Sequence, residues 1–162
     1  MIELSQEERL RRAVTCLRYF IRDRRELNRL LLGNFESSDE ECRMAIALAI
    51  DDWNNTPPPI GRVTLATHPA KYLLILQAAI IALRGALIWH AREHMPSQDG
   101  GTSADDHDKV ASYDAILARM QDDYEKKKTD MKVAQNIAAG LTQQGAPSEY
   151  SYYYFYGEYL AW

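Results

Sequence analysis

Two histidines four residues apart, with a glutamate just before the second, are the residues whose spacing most suggests a reaction. His90-Ala91-Arg92-Glu93-His94 fits the zinc pattern H-x-x-E-H. On a helix, positions four apart share a face, so both imidazoles can converge on one zinc ion. Glu93 would then act as general base toward a bound water. A pattern this short also arises readily by chance, and the C-terminal end of a helix favours His and Arg through its dipole. The third ligand of such sites, a glutamate well downstream, has too little chain left to supply it. His68 and His107 add no further ligand set. A zinc-dependent hydrolase is therefore the remote alternative. The chain is read as a non-enzyme with no catalytic residue, no metal ligand and no cofactor.

Other candidate chemistry is weaker. Ser97-Gln98-Asp99-Gly100-Gly101-Thr102-Ser103 lacks the Lys-Ser/Thr ending of a phosphate-binding loop and follows no strand, so it reads as a polar turn. Asp99, Asp105, Asp106 and Asp108 do not have calcium-loop spacing. There is no G-x-S-x-G and no dinucleotide fingerprint. Cys16 and Cys42 are the only cysteines and form no CxxC pair, which suits buried free thiols made in a reducing compartment. The formal charge of −4 gives no case for a general nucleic-acid binder. Arginines at 9, 11, 12, 18, 22, 24, 25 and 29 are diluted by acids at 7, 8, 23 and 26, and read as a solvated helix face rather than a polyanion site. No secretory signal is visible at the N-terminus.

The elements that must position these residues are helical. The 162 residues suit one domain with an appendage. Ser5 with Glu8, and Ser38 with Glu41, are capping boxes that open the first two helices. Leu10, Val14, Leu17 and Ile21 form the buried stripe of the first, which continues as helix or a short second piece over Leu27 to Leu32. Cys42, Ile46, Ala49 and Trp53 form the stripe of the second, with Ala45 and Leu48 beside it. Thr56-Pro57-Pro58-Pro59 must stop it. Pro69 to His94, with Thr67 as cap, is apolar on nearly every face and reads as a central helix surrounded by the others. Gln77, Arg84 and Gly85 argue against a membrane span. Val110, Tyr113, Leu117, Met120, Tyr124, Met131 and Ala134 predict a long last helix to about Ala138, with Asp122, Asp123, Glu125, Lys126, Lys128 and Lys132 on its other faces as solvated charges or ring-to-ring contacts. The expected fold is all-α: a helical bundle over 1–139, with a linker and extended docking tail over 140–162.

That tail is the chain's other candidate site. Six of the ten tyrosines lie between Glu149 and Trp162. Tyr150, Tyr152, Tyr153, Tyr154, Phe155, Tyr156, Tyr159, Leu160 and Trp162 are too aromatic to sit comfortably in water and too few to build a core. They are the expected partner-binding residues, docking on another protein or a neighbouring subunit, for instance as a strand on a sheet edge.

Several stretches together resemble head-to-tail connector (adaptor, or head-completion) proteins of tailed bacteriophages. They are Leu27-Asn28-Arg29-Leu30-Leu31-Leu32-Gly33 before a capped acidic helix; Asp51-Asp52-Trp53-Asn54-Asn55-Thr56-Pro57-Pro58 at its end; a Leu/Ala/Ile helix ending Trp89-His90-Ala91-Arg92; and Ser97-Gln98-Asp99-Gly100-Gly101 leading into a long helix with Tyr113. The resemblance covers about residues 10 to 135. It implies a virion structural protein in the neck between capsid and tail, made in the host cytoplasm. Such proteins form a ring of identical subunits, commonly a dodecamer, under the portal protein and extend the DNA channel. The tail would clamp the portal, and tail-side neck or tail proteins would join below. Genomic DNA would pass without sequence-specific binding, and no membrane is involved. Another neck, collar or tail component is the nearer alternative.

Overall fold

The computed structural model describes residues 5–27, 34–58, 61–93 and 106–143, with side chains except at 90–93, 106–112 and 141–143. Four helices make the fold: α1 (Gln6–Ile21), α2 (Asp39–Asn55), α3 (Lys71–Glu93) and α4 (Asp106–Gln143). The described residues contain no strand, so the chain is an all-α bundle, as the periodicities predict.

Both capping boxes form. The Ser5 hydroxyl accepts the Glu8 N–H at 3.2 Å while the Glu8 carboxylate accepts the Ser5 N–H at 2.8 Å. Ser38 and Glu41 do the same at 3.1 and 2.6 Å. These serine hydrogen bonds hold both glutamate carboxyls below their ordinary range.

α3 is the axis of the bundle. On one side, Leu74, Ile75, Ala78 and Ala79 pack with Ala13, Val14 and Leu17 of α1 and Cys42, Ala45, Ile46 and Ala49 of α2. The alanines let three backbones approach closely. On the other side, Leu73, Leu76 and Ile80 pack with Trp53 and with Leu117 and Tyr124 of α4.

Four expectations need correction. α1 stops at Ile21, where Arg22 turns left-handed (φ 63°), so of the two alternatives for Leu27 to Leu32 an unbroken continuation is ruled out, while the short second piece falls on 28–32, outside the described residues. The reason is tertiary: Asp23 is needed under Arg18, as described below. α3 starts at Lys71 rather than Pro69, because the Thr67 hydroxyl accepts the Thr64 N–H at 2.9 Å instead of capping the helix. α3 is enclosed only in its first half. Further along, Arg84, Gly85, Ile88 and Trp89 are exposed, Ile88 at 59% and Trp89 at 56%. By length and composition Lys71–Trp89 could cross a membrane, but its first half is the buried centre of this bundle. Finally, α4 runs through Gly140 to Gln143, past the expected end near Ala138.

Candidate functional site

The tail residues Tyr150, Tyr152, Tyr153, Tyr154, Phe155, Tyr156, Tyr159, Leu160 and Trp162 lie outside the described residues, as does His94. His90 and Glu93 fall on the last turn of α3. The described residues hold no group of three or more His, Cys, Asp or Glu placed to share a metal ion. The polar loop 97–103 and the caps expected at Ser103 or Asp105 also lie outside them.

Within the described residues, polar groups converge most densely where α2 ends. Asp52, Trp53, Asn54 and Thr56 each do something different there. The Asp52 carboxylate accepts the Tyr124 hydroxyl at 2.6 Å and the Lys128 ammonium at 3.2 Å, tying α2 to α4. Trp53 is fully buried, with the His68 ring 4.7 Å away and the Lys132 ammonium 5.0 Å from its ring centre. The Asn54 carboxamide pairs with both backbone groups of Val63, at 2.8 and 3.1 Å, and so fixes the connector against the helix end. Thr56 closes α2, its N–H on the Trp53 carbonyl and its hydroxyl on the Asp52 carbonyl. Beyond the connector, the Ala70 N–H points at His68 Nδ1, 3.2 Å away, which can receive it only as an unprotonated nitrogen.

The electrostatics of this joint are those of a clamp. Burial pushes the His68 imidazole down to about 4, and the Lys132 charge acts in the same direction. Burial also pushes the Tyr124 phenol well above its ordinary value, reinforced by its bond to Asp52, so it stays a donor. Lys132 is only 2% exposed, and burial with the neighbouring Lys128 charge lowers its pKa. Near neutrality His68 is therefore an uncharged ring and Tyr124 a protonated phenol. What the arrangement can do is hold α2, α3 and α4 at fixed relative positions. Lys128 and Lys132 therefore correct the reading of solvated charges. The stripe of α4 runs Leu117, Tyr124, Lys128, Lys132, with long lysine stems serving as packing.

Arg18 makes a second buried joint. Its guanidinium donates to Asp23 at 2.8 Å, to the Ser37 carbonyl at 2.7 Å and to Asp39 at 2.8 Å. Asp23 in turn accepts the N–H groups of Glu36 and Ser37. Phe35 lies under the guanidinium, 4.0 Å from ring centre to carbon. Arg18 was among the arginines expected to be solvated. It is buried, and it pins the end of α1 to the start of α2. Arg11 fits the solvated reading, exposed and paired along the helix with Glu7. Cys42 is buried and Cys16 half-buried, and burial raises both thiols, which keeps them protonated.

Reasoning from sequence missed the roles of Arg18, Asp52, Lys128 and Lys132. The one local signal was the break in the α4 stripe at Lys127, where the register moves by one residue to Lys128. No protein-family model matches the chain, and neither does any curated protein or solved structure.

Proposed function

We propose that this chain is a non-enzymatic virion structural protein: a head-to-tail adaptor that forms a ring of identical subunits beneath a portal protein, extends the DNA channel and joins capsid to tail. The observation that carries the reading is what the Asp51–Pro58 stretch does. This stretch is one of those that carry the likeness to the connector proteins, and its residues Asp52, Trp53, Asn54 and Thr56 build the joint between three helices. A likeness resting on joint residues argues for a shared scaffold, where a likeness at solvated positions would not. In this reading Tyr150 to Trp162 is the portal anchor. Residues 140–143, expected to begin the linker before it, are instead the last residues of α4.

Cryo-electron microscopy of particles containing this chain tests the reading directly. Residues 148–162 are expected to leave their own bundle and lie along a portal subunit. A tail folded on its own helices, or gripping only a tail-side neighbour, rejects the portal anchor. In pull-downs, the chain lacking 148–162 is expected to lose portal binding, and unchanged binding rejects the same assignment.

A further inference from the structure

Two different apolar rows lie on the outside of the bundle. On the distal half of α3, Arg84 and Ile88 stand one turn apart, as do Gly85 and Trp89, and all four are exposed. On α2, Glu40, Met44, Leu48 and Asp51 share an outward face, with Met44 57% and Leu48 46% exposed. Apolar residues grouped in this way and rimmed by charge mark interaction surfaces more often than single exposed ones do.

The two rows complement one another. The α3 row carries a cation and the α2 row carries an acid at each end. Among the described residues no carboxylate pairs with Arg84, and no cation pairs with Glu40 or Asp51. Gly85 leaves a notch between the larger side chains. A Cβ there would meet nothing within 4 Å, so the packing of the bundle itself does not require a glycine at that place. The rows cannot meet within one chain, because α2 already packs against the core through Cys42, Ile46 and Ala49, which turns Met44 and Leu48 outward.

We infer that these faces dock on one another between copies of this chain, α2 of one copy against the distal half of α3 of the next. Both halves of a charge-matched pair lie on the same polypeptide, which is why the occupant is a second copy and not a foreign protein. The two surfaces differ, so the contact is heterologous. It repeats head to tail and either closes into a ring or continues as a filament. The inference rests on the reading of the chain as a ring subunit and gives that ring its side-to-side contact.

Sedimentation velocity of the full chain, up to sub-millimolar concentration, is the test. The wild type is expected to self-associate. Arg84→Glu alone, and Glu40→Arg with Asp51→Arg, are each expected to weaken association by at least about tenfold, because each sets like charges face to face. Mixing the two variants restores complementary pairs at both contacts and is expected to restore association. Unchanged thermal melts show that the variants are folded. A second measurement does not rely on charge: oxidised Leu48→Cys/Ile88→Cys chains are expected to give a ladder of covalent oligomers that neither single variant gives. The inference is overturned by a wild type that stays monomeric, by charge reversals without effect, by a mixture that fails to recover, or by absence of the ladder. If the contact fails in these ways while the chain still binds portal, only the contact falls and the adaptor reading stands. If association follows the expected pattern but portal binding is absent, the adaptor reading fails alone.

Discussion

His68 is held neutral by its surroundings, and that makes stability depend on pH in a defined window. Its imidazole is pushed down to about 4, against an ordinary value near 6.5 in the unfolded chain. Between these values the unfolded state binds the extra proton, so stability rises with pH there. The contribution is full above about pH 6.5 and is lost as pH falls toward 4, an effect of roughly 3 kcal/mol. Urea midpoints measured from pH 7 to pH 4 should fall for the wild type, and His68→Gln should flatten the part due to this group. At Arg18 the expectation is a contrast between partners. Arg18→Met takes the guanidinium away from the buried Asp23 carboxylate and should cost about 3 kcal/mol in urea unfolding. Asp39 is largely exposed, and Asp39→Asn should cost less than about 1 kcal/mol. Equal costs would mean that Arg18 is not the buried node described here.

Helix ends differ in what sets them. The starts of α1 and α2 are local, fixed by serine and glutamate three residues apart. Ser38→Ala should cost about 1 kcal/mol, read as a lower urea midpoint at unchanged slope. α3 behaves differently along its length. In its open half, Gly85 pays the entropic penalty of a glycine inside a helix with no contact in return. Gly85→Ala should therefore stabilise the fold by roughly 0.5–1 kcal/mol. Measured at a concentration where the chain is monomeric, a destabilising result would show that backbone approach at Gly85 matters within one subunit.

For the whole molecule, the question is whether the aromatic segment belongs to the core of its own chain. Both apolar clusters are built from α1 to α4 and the connector before α3. Removal of residues 148–162 should leave the helical circular dichroism unchanged and the thermal midpoint within a few degrees, about the shift that 1 kcal/mol produces in a domain of this size. A collapse of the melt would mean that the aromatic segment belongs to the core of its own chain. Self-association through α2 and the distal half of α3, and attachment through the tail, are then separable properties of one subunit.

The all-α class, the order of the helices and the two capped starts were determined by the sequence itself, because capping boxes and 3.6-residue periodicity are local and need no partner to be read. The inward faces of α1 and α2 followed in the same way, Leu17, Cys42, Ile46, Ala49 and Trp53 all being buried as their spacing requires. Only the tertiary structure decided which charges are buried. Arg18, Lys128 and Lys132 look like any solvated helix residues until Asp23, Asp52 and Trp53 are brought to them from 5, 76 and 79 positions away. It also decided that Ile88 and Trp89 of the apolar helix α3 are exposed while its first half is buried. Composition fixes how much surface a helix wants buried, but the lengths and placement of its neighbours fix how much they cover.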